Sequence, residues 1–170
     1  SPFAQYNPFL RPSRSIRASN IAIPTTAAYA FGAEYTSTTT AAWETFESRV
    51  FDIPVKQCTL LFILHLHVKH SLANAVWNYR LVMHQPTDGS SGTSNALHVM
   101  GPLILPSTAD TYDLFAVSVP FLMSTNGINM STGSHLFQFQ FNLQTVGTIT
   151  LGSGSTASDF YSMFIHPTVA

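Results

Sequence analysis

The sequence contains few charged residues. They make up 9% of its 170 positions, against about 25% in an ordinary soluble domain. Every lysine and arginine lies in the first 80 residues, and after Arg80 the only fixed charges are Asp88, Asp110, Asp113 and Asp159. A surface with so little charge has little electrostatic repulsion to keep copies apart. The composition therefore disfavours a freely diffusing enzyme and favours a subunit that associates with copies of itself.

Cysteine and long apolar runs are also scarce. The single cysteine, Cys58, excludes an intrachain disulfide, and it adjoins the apolar run 60–64, so we expect a buried, unreactive thiol. No stretch reaches the 18 or more apolar residues typical of a membrane-spanning helix, and no signal peptide opens the sequence. We therefore expect neither a disulfide scaffold nor insertion into a membrane.

Helical periodicity is missing, and the dominant pattern has a period of two. Apolar residues alternate with polar or mixed ones along 60–69, 76–84 and 135–143, which predicts β-strands. Further strands are predicted at 29–36, 43–51, 96–105, 112–120, 145–151 and 160–166. Clusters rich in Gly, Pro, Ser and Asn separate them and predict turns. Short strands with such spacing favour an all-β fold, a single antiparallel jelly-roll sandwich over residues 28–170.

Residues 1–27 are predicted to form an extended N-terminal arm. Prolines interrupt any helix there, and the apolar residues follow no period. Arg11, Arg14 and Arg17 lie in this segment without a neighbouring acid. Three such cations can neutralise about three phosphates without reading sequence. They can equally donate hydrogen bonds to a neighbouring subunit, and the sequence leaves both interpretations open.

Two histidines form the one candidate metal site. His65 and His67 alternate along one strand, so their rings project to the same face. Zinc or nickel would need further ligands from elsewhere in the fold. The alternative is a polar or interface stripe, in which protonation between about pH 5 and 7 would place like charges together and loosen an assembly.

Motifs for catalysis are absent from the sequence. No nucleophile elbow, phosphate-binding loop or paired-cysteine zinc pattern occurs. The carboxylates Asp110 and Asp113 stand at the entrance of a predicted strand, where turn roles are typical. We therefore expect no enzyme activity and no cofactor.

Three segments carry a resemblance to known proteins. Residues 50–84 (VFDIPVKQCTLLFILHLHVKHSLANAVWNYRLVMH) place two long strands after a D-x-P-V turn. Residues 131–143 (STGSHLFQFQFNL) and 159–167 (DFYSMFIHP) supply two later strands. This succession resembles small single-jelly-roll viral capsid proteins, viral fibre heads, and the complement and tumour-necrosis-factor-like heads. The last strand lacks the Phe-x-Gly-Phe of complement heads, which favours the viral members.

The resemblance implies a virion structural protein. In this interpretation the chain is a capsid subunit that assembles with copies of itself into a shell, and its arm contacts genomic RNA or neighbouring subunits. The alternative is a trimeric head that binds a host receptor or glycan through the loops 86–95 and 124–133. The aromatic residues that either kind of assembly would use as core or interface are Trp77, Tyr79, Phe137, Phe139 and Phe141.

Overall fold

The computed structural model describes residues 25–31, 33–53, 58–84, 94–122, 133–153 and 159–167. These residues form strands joined by turns, and no described segment is a helix with the length and hydropathy needed to cross a bilayer. The strands are β1 (Thr25–Ala30), β2 (Tyr35–Ser37), β3 (Trp43–Ile53), β4 (Cys58–His70), β5 (Val76–His84), β6 (Ser94–Ile104), β7 (Asp113–Leu122), β8 (Gly133–Leu143), β9 (Ile149–Leu151) and β10 (Phe160–Pro167).

The strands form a sandwich of two antiparallel sheets. The first sheet has the order β1-β10-β4-β7, and the short strands β9 and β2 extend it beside the end of β4. The second sheet has the order β3-β8-β5-β6. Successive strands therefore cross repeatedly between the two sheets, which is the arrangement of a jelly roll. The predicted all-β sandwich is confirmed.

The core lies between the sheets and follows from the period-two pattern. Along β4 the residues Leu60, Phe62, Leu64, Leu66 and Val68 are buried, and each intervening side chain is half-buried on the outer face. A fully buried side chain of this size contributes about 1.5–3 kcal/mol relative to its exposed state.

The five aromatic residues singled out in the sequence lie inside the sandwich. Each has at most 2% of its surface exposed: Trp77, Tyr79, Phe137, Phe139 and Phe141. The rings of Phe139 and Tyr161 pack across the two sheets with their centroids 4.7 Å apart. These aromatic side chains join the sheets to each other, so contacts with another molecule fall to residues on the outer faces.

Two predicted strands differ from the structure by more than two residues at an end. The segment 29–36 is divided between β1, which pairs with β10, and β2, which pairs with β9. The backbone leaves the first pairing after Ala30, where Phe31 packs into the core. The strand expected at 145–151 is limited to β9, because 145–147 form a bend in which Gly147 has a φ of +134°.

The structure describes the chain from Thr25 onward, within the segment expected to be an arm. Thr25 pairs with Ile165, so the last three residues of that segment already belong to the first sheet. Residues 1–24 lie outside the described residues, and the division into arm and domain stays a prediction. The side chain of Cys58 is likewise not described, so its expected burial stays a prediction.

The two open flanks of the sandwich are built differently. At one flank Arg49 of β3 donates from Nε to the hydroxyl of Tyr161 at 2.6 Å, and its guanidinium lies 3.8 Å from the ring of Tyr29. At the other flank a cavity of about 220 Å³ separates β6 from β7 and is lined by residues that include Trp77 and Phe115. At the first flank the edge strand β3 is therefore joined to the opposite sheet, whereas at the second Phe115 of β7 packs on Trp77 and Tyr79 of β5 and a cavity separates β7 from the edge strand β6.

Candidate functional site

The outer face of the first sheet is mostly apolar across three adjacent strands, although Ser162 and Ser118 lie on either side of Ile63. We call it the apolar face and define it by Leu61, Ile63, Leu114, Ala116, Phe160 and Phe164. On β4, Leu61 has Phe164 on one side and Pro120 on the other, and His65 has Phe160 and Ala116. The side chain of Leu114 is 48% exposed. Among the described strand residues that point outward from this sheet, Lys69 carries the one fixed charge.

The outer face of the second sheet is polar at its centre, on β5 and β8, while the exposed Val50, Val99 and Ile104 lie on its edge strands β3 and β6. Asn78, Gln138, Gln140 and Asn142 point outward from β5 and β8, in adjacent positions across the sheet. Side chains that form hydrogen bonds replace the aliphatic and aromatic residues of the apolar face. Because a soluble protein rarely leaves a large contiguous apolar patch in water, the first sheet is the better candidate for contact with another molecule.

The structure places both candidate metal ligands on the apolar side of the molecule. The ring of His65 stacks on Phe160, with centroids 5.0 Å apart and planes inclined by 19°. The Nδ1 atom of His67 lies 3.0 Å from Oδ1 of Asp159. Within the described residues, no three His, Cys, Asp or Glu side chains lie close enough together to hold a metal ion. A metal bound by His65 and His67 stays a prediction.

Asp159 is a buried carboxylate that joins β4 to the segment before β10. Its Oδ1 accepts a hydrogen bond from the backbone N–H of His67 at 2.7 Å. Its Oδ2 accepts from the backbone N–H and the hydroxyl of Ser153, at 2.7 and 2.5 Å. Burial alone would raise the pKa of Asp159, but the hydrogen bonds from Ser153 and His67 outweigh burial and lower that pKa below 3.8.

The Asp159 cluster has the residue types of a hydrolase triad without its arrangement. The hydroxyl of Ser153 and the ring of His67 both bind the carboxylate of Asp159. In a nucleophilic triad the imidazole lies between the hydroxyl and the acid, where it can take the hydroxyl proton. The geometry here fixes the chain after β9 and does not activate Ser153.

A groove on the outer face of the second sheet is a further candidate site. We call it the Arg80 groove; its volume is about 360 Å³ and its lining residues are Arg80, Val82, His84, Ala96 and Gln140. Arg80 donates from Nε to Oε1 of Gln140 at 2.7 Å, and its guanidinium lies 4.2 Å from the ring centre of Trp43. Sequence reasoning missed this groove, because Trp43, Arg80 and Gln140 come from three strands far apart in the chain. The sequence offers one signal for a polar surface there, because Arg80 and Gln140 both lie on the polar side of their strands.

Other residues singled out in the sequence belong to loops or the arm. Asp110 is exposed with a φ of 54°, and its backbone N–H donates to the carbonyl of His70 at 2.8 Å, which is a turn role. Arg11, Arg14 and Arg17 lie outside the described residues, as do positions 86–93 and 124–132 of the candidate binding loops.

The chain is similar in fold to solved structures of a virus. The structure of infectious bursal disease virus Gx strain matches it with a TM-score of 0.50 at 15% identity, over 86% of this chain and 38% of that chain. T=1 particles derived from the same virus give a TM-score of 0.49 at 15% identity, over 86% and 36%. The VP2 subviral particle of that virus gives 0.49 at 14% identity, over 86% and 38%.

The extent of these matches defines what they show. At such identities the likeness shows the fold alone, and this chain spans less than two fifths of the length of those chains. No protein-family model matches the sequence, and no curated protein matches it. The comparison therefore shows that this sandwich is similar in fold to part of the matched chain of the Gx strain.

Proposed function

We propose that the protein is a virion structural protein, a jelly-roll capsid subunit that assembles with copies of itself into a shell. The observation that carries the proposal is the apolar face. It spans β4, β7 and β10 and holds the half-buried side chains of Ile63 and Phe160 beside the exposed Leu114. Burying such a face against a second copy removes apolar area from water at about 25 cal/mol per Å².

The shortage of charge supports association with copies of the same chain. A contact between identical surfaces brings like charges together, and that repulsion is smallest where the surface carries almost none. The apolar face has Lys69 at one end and no described carboxylate among its outward strand residues. Two copies can therefore approach through this face without a repulsive pair of carboxylates.

The comparison with the Gx strain supports the same function. That match covers 86% of this chain with a TM-score of 0.50, and the matched structure is that of a virus. The proposal places the protein in the virion in a structural, non-enzymatic role. Arg11, Arg14 and Arg17 would contact RNA inside the shell or donate to neighbouring subunits, in keeping with their position outside the charge-poor body.

Negative-stain electron microscopy of the purified protein tests the proposal. Closed spherical particles with ultraviolet absorbance from RNA are the expected result. Compact trimers free of nucleic acid would instead support the trimeric head that binds a receptor or glycan. A protein that elutes from gel filtration as a monomer at every concentration would overturn both assignments.

A further inference from the structure

The Arg80 groove has the dimensions of a site for a small ligand. Its volume of about 360 Å³ falls within the range of about 300–1,000 Å³ that is typical of ligand pockets. The pairing of β5 with β6 shifts register between Leu81 and Val82, beside the groove. A second shift lies between Thr45 and Glu47, where β3 pairs with β8. Irregularities of this kind change where outward side chains point, and they recur next to functional sites.

Arg80 presents a fixed positive charge in this groove. The hydrogen bond from Nε to Gln140 and the ring of Trp43 restrain the plane of its guanidinium. Among the described residues, no carboxylate forms an ion pair with Arg80. Burial lowers the pKa of Arg80, because the charged form loses hydration. A guanidinium nevertheless stays charged in proteins, so this one is suited to bind an anion.

The polar groups around Arg80 hold one another in a fixed pattern of hydrogen bonds. Nε2 of Gln140 donates to Oγ1 of Thr45 at 3.0 Å and to Oε1 of Gln138 at 3.3 Å. The same oxygen of Gln138 lies 2.6 Å from Nε2 of His84. These bonds use both N–H groups of the Gln140 amide and both lone pairs of the Gln138 oxygen, so the amide N–H₂ of Gln138 is the donor that can bind the oxygen of a sugar hydroxyl.

The apolar part of the groove fits the remaining surface of such a ligand. Val82 is buried beneath the groove and Ala96 lines its side, and both side chains are small. Together with the guanidinium they leave space for a ring that has one anionic substituent. A planar carboxylate carries a single charge and two oxygens, which match the single cation and its paired N–H groups.

We propose that the Arg80 groove binds an acidic sugar, with the carboxylate on the guanidinium of Arg80 and a hydroxyl group on the amide N–H₂ of Gln138, which lies beside Val82. This inference goes beyond the shell function and does not depend on it, since the described residues that line the groove belong to one chain. The measurement can be made on whatever assembly the purified protein forms.

Saturation-transfer NMR and calorimetry with free monosaccharides test the proposal. N-acetylneuraminic acid and glucuronic acid are expected to bind saturably, whereas the neutral sugar galactose and inorganic phosphate bind at least about tenfold more weakly. Arg80→Gln removes the charge and should abolish binding. Arg80→Lys keeps the charge but loses the paired donors, and we expect about tenfold weaker binding. Lys69→Gln removes a cation from the opposite sheet and should leave binding unchanged.

Four results would overturn the assignment. The first is the absence of saturable binding of either acid to the intact protein. The second is sugar binding of wild-type strength by an Arg80→Gln protein whose melting temperature equals that of the wild type. The third is phosphate binding as tight as that of the sugars, which would assign the groove to phosphate. The fourth is a change of assembly in Arg80→Gln without any sugar binding, which would assign Arg80 to a carboxylate of a neighbouring copy.

Discussion

At the scale of single residues, Asp159 joins two parts of the chain that are far apart in sequence. Its carboxylate binds His67 on β4 and Ser153 just after β9, and only 1% of the residue is exposed. A buried carboxylate that accepts several hydrogen bonds stabilises the fold only while it is ionised. The stability that Asp159 provides should therefore depend on pH.

Asp159→Asn should lower the free energy of unfolding by about 1–3 kcal/mol at neutral pH, because donors on Ser153 and His67 lose an acceptor. The folded pKa of Asp159 lies below 3.8, so its contribution is present above pH 3.8. It is lost as the pH falls through the folded value, and the wild type and the variant should converge there. Urea titrations across this range measure the difference.

Asp113→Asn is the matched control, since Asp113 is exposed. This variant should unfold like the wild type at neutral pH. The proposed role of the ionised carboxylate would be contradicted if the difference in free energy of unfolding between Asp159→Asn and the wild type stayed constant well below pH 3.8.

Gly147 is a position where the structure requires glycine. Its φ is +134°, and a Cβ there would lie 2.5 Å from Cε1 of His70, whose side chain is buried. We expect Gly147→Ala to cost about 1–3 kcal/mol of stability from backbone strain, before any cost of the contact. Thermal melts measure the loss. Val146→Ala is the control, because the side chain of Val146 is 75% exposed and its variant should melt normally.

The sequence predicts the environment of single residues unevenly. Burial of Phe137, Phe139 and Phe141 follows directly from their alternation with polar neighbours. The contact of Asp159 with His67 and that of Arg80 with Gln140 do not, because they join residues that are 92 and 60 positions apart. A local pattern shows which side chains point outward, but only the strand register shows which of them meet.

At the scale of strands, the apolar face is a surface whose function can be tested without disturbing the core. Ile63→Lys places an ammonium group on the outer side of β4, at a half-buried position from which a long side chain can reach water. The domain should therefore fold, while a shell that uses this face should lose particles in favour of smaller species. Gel filtration and electron microscopy measure assembly, and circular dichroism measures folding.

Val99→Lys provides the comparison on the second sheet. Val99 is 58% exposed on β6, so the same substitution adds the same charge away from the apolar face. It should leave the particles intact. Normal particles from Ile63→Lys would show that copies meet through another surface.

The prediction of strands from sequence was strongest where one face is buried throughout. The alternation along β4, β5 and β8 gave the strands of the core, and the structure confirms the sandwich they predicted. It was weaker for β2 and β9, which have three residues each. Three residues are too few to establish a period of two, so their position depends on pairing with each other and with β4.

At the scale of the whole molecule, the cations of the N-terminal segment are expected to act separately from the folded body. Changing Arg11, Arg14 and Arg17 together to alanine should reduce the RNA content of purified particles, because about three phosphate contacts are lost. The melting temperature of the domain should change little. The ratio of absorbance at 260 and 280 nm measures RNA, and calorimetry measures folding.

The control for the arm replaces the same three arginines with lysine. This variant keeps the charges, and phosphate contacts that do not read sequence depend mainly on charge, so the RNA content should be retained. An alanine variant with the wild-type absorbance ratio would show instead that these arginines bind neighbouring subunits.

The difference between the two flanks of the sandwich has a consequence for how the molecule fluctuates. Arg49 holds β3 against Tyr29 and Tyr161, whereas β6 and β7 face each other across a cavity. Partial opening should start at the edge strand that has the fewest contacts with the opposite sheet. The amide hydrogens of β6 should therefore exchange with deuterium before those of β3. The flank at β6 and β7 would then yield first to heat or denaturant, while the flank at Arg49 keeps the sheets together until global unfolding.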